Sequence, residues 1–289
     1  MKFVLFLLLI LLSFKSRNFK EIQSYSCPES NISIGIADTG IDSAFFNNNF
    51  KGFNFITKSS SIGNDSYNEM NWGFHGTKVL DVLMSSSLCE IPNKNIYDLK
   101  IFETDKVSKF LHGKNSEESF SINNEDVNIS LIDYSIKNKI KVINYSASLF
   151  DVSKEEIYMF NIANDNGIVF IFSAGNNNQE INNSSNHICS LNLENVICVG
   201  GLDLSGKKWL DSNYGPSIDI YSLAVHEEYE GTSFSAPVIT SRVFEVKRFF
   251  PYLRPKEIKE IIKKYKSNYR FKNFILNPEV GYEYKNRKS

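Results

Sequence analysis

The stretch "IVFIFSAG", residues 168–175, carries apolar side chains at five consecutive positions and then runs into Ser173, Ala174 and Gly175. A strand with one wet face alternates apolar and polar residues. One that is apolar throughout is covered on both faces, as in a parallel sheet between two helical layers. Further runs of this kind are "ISIGIA" (32–37), "IYDLKIF" (96–102), "IKVINYS" (140–146) and "VICVGGL" (196–202). Helical patterns lie between several of them: Val127, Leu131 and Tyr134, with Ile132 and Ile136, before the strand at 140, and residues 155–164 before the strand at 168. Strand and helix in alternation predict βαβ units, hence an α/β fold with a mostly parallel sheet flanked by helices in three layers. In such sheets the residues that do chemistry gather at the carboxyl ends of the strands.

Length and composition agree with one large domain: 289 residues, 42% hydrophobic and 22% charged. The formal net charge of -1 gives no reason to expect nucleic acid or an anionic membrane surface as a partner. The basic run "RPKEIKEIIKKYK" (254–266) places Ile258, Ile261, Ile262 and Tyr265 at helical spacing, so it reads as a solvated helix face. Residues 45–70 and 105–125 are polar, rich in Asn and Ser and without period, and are expected to be long surface loops. Asn-rich turns can ligate calcium, but no D-x-D-x-D-G pattern is present, so calcium has no motif behind it and no cofactor is expected.

The N-terminus stands apart. After Lys2 come Phe3 to Phe14, interrupted only by Ser13, and then Lys15, Ser16 and Arg17. This is the length of a signal-peptide apolar region and too short to span a bilayer as a helix. The expected organisation is a signal peptide or uncleaved N-terminal anchor over 1–16, a short lead segment over 17–31 and one domain over 32–285. The expected destination is outside the cytoplasm: secreted, periplasmic or cell-surface. Cys27, Cys89, Cys189 and Cys198 fit an exported protein with one or two disulfides, of three possible full pairings. The short connection favours Cys189 with Cys198, and the absence of CxxC spacing argues against a metal site.

Four polar residues stand where strands or helices begin or end. "ADTGID" puts Asp38 at the end of the first strand, before a Gly turn. "NWGFHGTKVLDVLM" puts His75 ahead of Val79, Leu80, Val82 and Leu83 at helical spacing. "FSAGNNN" puts Asn176 where a buried strand empties out, and "YEGTSFSAPVITS" (229–241) puts Ser233 on a Gly-bounded turn leading into a helix. Serine is a poor nucleophile at neutral pH until a base takes its proton; His75 is suited to do so, and Asp38 to orient the ring. The Ser233 N–H and the Asn176 amide are candidate donors for an oxyanion hole.

In that chain order the four motifs resemble those of the subtilisin-like serine proteases, the subtilases. The resemblance runs from about residue 32 to about 285 and takes in "INYSAS" (143–148) and "SNYGPSIDIYSLAV" (212–225). It implies a subtilisin-like fold, with Asp38, His75 and Ser233 as catalytic residues and Asn176 as oxyanion donor. The backbone of Ser146, Ala147 and Ser148 is implied to pair with extended substrate, with Ala174 and Gly175 beside Asn176 on the opposite wall. The expected activity is that of an exported serine endopeptidase, acting as a monomer on a peptide or protein substrate, with any membrane association only through an uncleaved anchor.

The chain departs from the family pattern at Lys78 and Asp81, after "HGT", and at Ser148, where Gly is usual and a side chain narrows the cleft. The expected lead segment is short, so no folding pro-domain is expected within it. His112, His187 and His226 are expected to be surface or structural. An α/β-hydrolase requires a histidine after its serine, and none follows Ser233; a trypsin-like enzyme requires His before Asp. The remaining alternative is a catalytically inactive, protease-shaped protein that binds peptides.

Overall fold

The computed structural model describes residues 27–60, 75–102, 125–226 and 229–265. The expected signal or anchor, most of the lead segment, His112 and most of the 105–125 loop lie outside the described residues. The elements below belong to the compact unit that begins at Asn31. Among the described residues no helix is long and apolar enough to cross a membrane.

The sheet has seven strands: β1 (Ser33–Asp38), β2 (Lys51–Asn54), β3 (Ile96–Lys100), β4 (Ile140–Tyr145), β5 (Val169–Ser173), β6 (Val196–Leu202) and β7 (Ile220–Leu223). Their order is β2-β3-β1-β4-β5-β6-β7, and every ladder between neighbours is parallel. A two-residue antiparallel pair, β8 (Val225–His226) and β9 (Tyr229–Glu230), follows β7. The helices are α1 (His75–Ser86), α2 (Glu125–Lys137), α3 (Lys154–Asp165), α4 (Thr232–Phe249) and α5 (Pro255–Tyr265).

Alternation along each strand divides the core into two layers. Ile34 and Ile36 of β1, Val142 of β4, Val169 and Ile171 of β5 and Ile197 and Val199 of β6 pack with Leu80 and Leu83 of α1, Val238, Ile239 and Val243 of α4 and Ile258 and Ile262 of α5. Ala37, Ile143, Tyr145, Phe170, Phe172 and Cys198, from the opposite faces of β1, β4, β5 and β6, pack with Val127, Leu131 and Ile132 of α2 and Phe160 and Ala163 of α3. Both faces of the sheet are therefore dry, which is why its strands read as nearly unbroken apolar runs. Cys189 and Cys198 form a disulfide that ties the segment before β6 to the strand itself, and no described cysteine is free.

Two expectations need correction. Residues 45–70 are not all loop, since Lys51–Asn54 forms edge strand β2 along β3. The four residues are too few to show a period; the exposed edge of β3 and the packing of Phe53 against Phe55 and Tyr134 supply the drive. The basic run at 254–266 is a helix as expected, but it is not simply a solvated face. Ile258 and Ile262 are fully buried, and Lys259 is also inside, donating to Leu193 O at 3.1 Å and lying 3.3 Å from Asp219 Oδ2. Burial pulls the Lys259 pKa down, and Asp219 opposes that fall.

Candidate active site

In the strand order, the chain leaves β1 toward β3 and β2 on one side and later returns to place β4 on the other. The carboxyl ends of β1, β4 and β5 thus border the crevice where parallel sheets of this kind bind ligands. Asp38 is the last residue of β1, Ser146 follows β4, Asn176 follows β5 by three residues, and Ser233 lies in the first turn of α4.

Asp38 and His75 meet. The carboxylate is 1% exposed, and its Oδ1 lies 2.7 Å from His75 Nδ1 and accepts from Thr39 N at 2.8 Å. A carboxylate oxygen accepts, which assigns the proton of this contact to Nδ1; in the neutral ring that tautomer has its lone pair on Nε2. His75 opens α1, and the approach of that helix to the β1 end depends on its glycine. A Cβ on Gly76 would lie 2.3 Å from Gly40 O and 3.1 Å from Asp38 Cβ. Gly40 itself has φ 105°, a turn that suits glycine. Two reciprocal bonds stitch the pieces together: Gly76 N donates to Thr39 Oγ1 at 3.0 Å and Asp42 N to Thr77 Oγ1 at 2.8 Å.

Ser233 is half-buried, and Phe234 beside it packs its ring 5.5 Å from the His75 ring. The Ser233 hydroxyl, however, donates to Ser146 O at 3.0 Å and not to the imidazole. Its N–H, in the first helical turn, has no intrahelical acceptor. Gly231, just before the helix, has φ 141°, which an L side chain rarely adopts.

Asn176 is oriented by Thr232, to which the sequence alone assigns no role. Thr232 N and Thr232 Oγ1 both donate to Asn176 Oδ1, at 2.9 and 2.6 Å. A backbone N–H can only donate, so the oxygen of the amide is identified by its partner, and Nδ2 faces the other way. Asn213 was also passed over, although "SNYGP" contains it. Its Oδ1 accepts from Asn177 N at 3.1 Å and Gln179 N at 2.8 Å, its Nδ2 donates to Ala174 O at 2.9 Å, and its N–H donates to Gly175 O at 2.9 Å. One fully buried residue thereby shapes the whole turn that carries Asn176. A small polar residue ahead of a Gly turn was the available signal.

The segment after β4 and the segment after β5 approach one another at Ser148 and Gly175. Ser148 Oγ reaches to 3.5 Å from Ser173 O, and a Cβ on Gly175 would fall 2.6 Å from that hydroxyl. Ala147 is half-buried, while Ala174 is fully buried behind the turn. Lys78 places its ammonium 4.3 Å from the centre of the Tyr229 ring, tying α1 to β9. His187 caps a short 3-10 helix and is buried; His226 is half-buried, with Nε2 donating to Leu223 O at 3.3 Å. Burial lowers the pKa of both. Among the described residues no group of three or more His, Cys, Asp or Glu is placed to hold a metal ion.

The model of the subtilase family matches residues 29–282. Solved structures similar to this chain include a cold-adapted subtilisin-like serine proteinase, with 18% identity over 81% of each chain and a TM-score of 0.62. The nisin leader peptidase NisP from Lactococcus lactis is 17% identical over 83% of this chain and 84% of its own, with a TM-score of 0.59. The prenylagaramide maturation protease PagA is 17% identical over 86% and 87%, with a TM-score of 0.55. At these identities the likeness is one of fold. No individually curated protein matches the sequence. With the family model matched over residues 29–282 and a fold like that of the solved subtilisin-like proteinase, the chain belongs to the subtilase family of serine proteases.

Proposed function

We propose that this protein is an exported serine endopeptidase that cuts peptide bonds through Asp38, His75 and Ser233, with Asn176 and the Ser233 N–H as oxyanion donors. The observation that carries the reading is the 2.7 Å contact between a buried carboxylate and His75 Nδ1 at the strand ends beside which α4 begins. It leaves Nε2 as the base. The Ser233 hydroxyl turns about χ1 from Ser146 O to Nε2 and passes its proton there as Oγ bonds to the scissile carbonyl carbon. The carbonyl oxygen takes the negative charge between the two donors. His75 then gives the proton to the departing amine as the C–N bond breaks, leaving an acyl-serine. Water, deprotonated by His75, releases the acid and restores Ser233. Beyond substrate and water, each step draws on these protein groups.

The Phe3–Phe14 run supports export, and so does the Cys189–Cys198 disulfide, since such bonds persist in oxidising compartments. We extend the same reading to a monomer without a nucleic-acid partner, whose domain spans 32–285, and whose substrate runs along Ser146, Ala147 and Ser148 opposite Ala174 and Gly175. One observation favours the second reading, a peptide-binding protein that does not cut: the Ser233 proton points to Ser146 O. A fluorophosphonate probe separates the two. Label on the wild-type protein, absent from Ser233→Ala and nearly absent from His75→Ala, is the expected result. Equal and negligible labelling of all three overturns the enzyme reading.

A further inference from the structure

Helix α4 carries a proline inside it, Pro237. In an α-helix the N–H of residue i+4 closes on the carbonyl of residue i, and proline has no N–H to offer. The carbonyl left without an intrahelical donor is that of Ser233, and the proline ring also crowds it outward. On the β4 side the Ser146 hydroxyl, 4% exposed, donates to this carbonyl at 2.8 Å.

Counting protons fixes the direction of the contacts behind it. Ser146 Oγ spends its one proton on Ser233 O, so at its 2.8 Å contact with Asn144 the amide nitrogen donates. Asn144 Oδ1 then faces Thr240, whose hydroxyl donates to it at 2.8 Å and also lies 3.0 Å from Ala236 O. Asn144 and Thr240 are fully buried, and each buried side-chain polar atom of Asn144, Ser146 and Thr240 has a hydrogen-bond partner. Donors therefore run from Thr240 through Asn144 and Ser146 to the Ser233 carbonyl, crossing from α4 to β4 and back. A satisfied buried network of this kind holds one geometry, because any other leaves a polar atom dry and unpaired.

We infer that Ser146, held by Asn144 and Thr240, is a positioning residue for Ser233: its hydroxyl replaces the helical hydrogen bond that Pro237 removes and so fixes the backbone from which the Ser233 hydroxyl projects. The inference rests on the reading of Ser233 as the nucleophile. Its logic is local: the carbonyl and the hydroxyl belong to one residue, so a carbonyl that turns to seek another donor carries the side chain with it. A displacement of about 1 Å at a reacting atom costs on the order of 100-fold in rate.

The test is a double-mutant cycle between Ser146→Ala and Pro237→Ala, the latter returning an N–H to position 237. Its readouts are the rate of fluorophosphonate labelling at Ser233, kcat and KM on a peptide, and the thermal midpoint. Ser146→Ala is expected to label about 10- to 100-fold more slowly with KM changed less than about twofold, whereas Ser146→Thr, which keeps the hydroxyl, stays within about threefold of wild type. In the Pro237→Ala background the effect of Ser146→Ala shrinks to about threefold or less. Wild-type labelling by Ser146→Ala, or an equal effect in both backgrounds, overturns the inference. If the wild type takes no label, it is the nucleophile reading that fails. The thermal midpoints then decide the hydrogen-bond link alone: a smaller loss on Ser146→Ala in the Pro237→Ala background supports it, and an equal loss overturns it.

Discussion

Thr232 gives two hydrogen bonds to a single atom of Asn176: its backbone N–H reaches Oδ1 at 2.9 Å and its hydroxyl reaches the same oxygen at 2.6 Å. The hydroxyl in turn accepts from Gly175 N at 3.1 Å. The amide that the proposed reaction uses as a donor is thus aimed from behind, by the residue next to the nucleophile. Thr232→Val keeps the shape and the N–H but removes the hydroxyl. It is expected to lower kcat about tenfold with KM nearly unchanged, since the loss falls on a donor used only once charge develops. Steady-state kinetics on one peptide decides it, and an unchanged kcat contradicts it.

Asn213 makes three side-chain hydrogen bonds to the turn that carries Asn176. Asn213→Ala leaves the buried Ala174 carbonyl without its donor, whereas the N–H groups of the exposed Asn177 and Gln179 can turn to water. The expected loss of stability is about 3 kcal/mol, dominated by that one desolvated carbonyl. Urea unfolding measures it, and a loss below about 1 kcal/mol would mean that the turn holds its shape without this clamp.

Gly76 lets α1 touch the end of β1. A methyl group there meets Gly40 O at 2.3 Å, a backbone atom that cannot swing aside. Gly76→Ala is expected to push His75 off Asp38 and to lower kcat/KM by about 100-fold or more in a protein that still folds. The downfield proton NMR signal of His75 Nδ1–H should vanish with the activity. Its survival together with full activity contradicts the packing argument.

His187 gives the protein an acid sensitivity of known sign. It is 1% exposed, its Nδ1 accepts from Cys189 N at 3.1 Å, and its ring stands edge-on to Phe150. Burial pushes its pKa from 6.5 down to about 4. The unfolded chain takes up a proton near pH 6.5, while the folded one refuses it until about pH 4. Stability from this group is therefore whole above pH 6.5 and falls as the pH drops toward 4, by up to about 3 kcal/mol. His187→Gln should lose less stability than wild type between pH 7 and pH 4.5 in urea unfolding. Equal losses in the two proteins rule this source out.

Much of the architecture was legible in the chain because burial on both faces leaves a direct mark on sequence. The strands at Ile96–Lys100, Ile140–Tyr145, Val169–Ser173 and Val196–Leu202 fall within expected runs, and Ser33–Asp38 extends the expected run at 32–37 by one residue. Strand β2 was not legible, since a four-residue edge strand with one exposed side takes its conformation from its neighbour β3. Lys259 was misread for a related reason: its charge suggested water, yet Asp219, forty residues earlier in sequence, receives it inside.

Taken alone, the sequence determined the chemistry that this protein has to hand and the sheet that carries it, because residue type and apolar period are local properties. It supplied the carboxylate, imidazole, amide and hydroxyl in order at the ends of elements. Which groups touch was decided only by the tertiary structure. Asp38 meets His75 across 37 positions and Ser146 meets Ser233 across 87, and the Ser233 hydroxyl donates to the Ser146 carbonyl. Hydrogen bonds depend on distances of a few tenths of an ångström between atoms far apart along the chain, and only the packing of α1 and α4 against the sheet sets those distances.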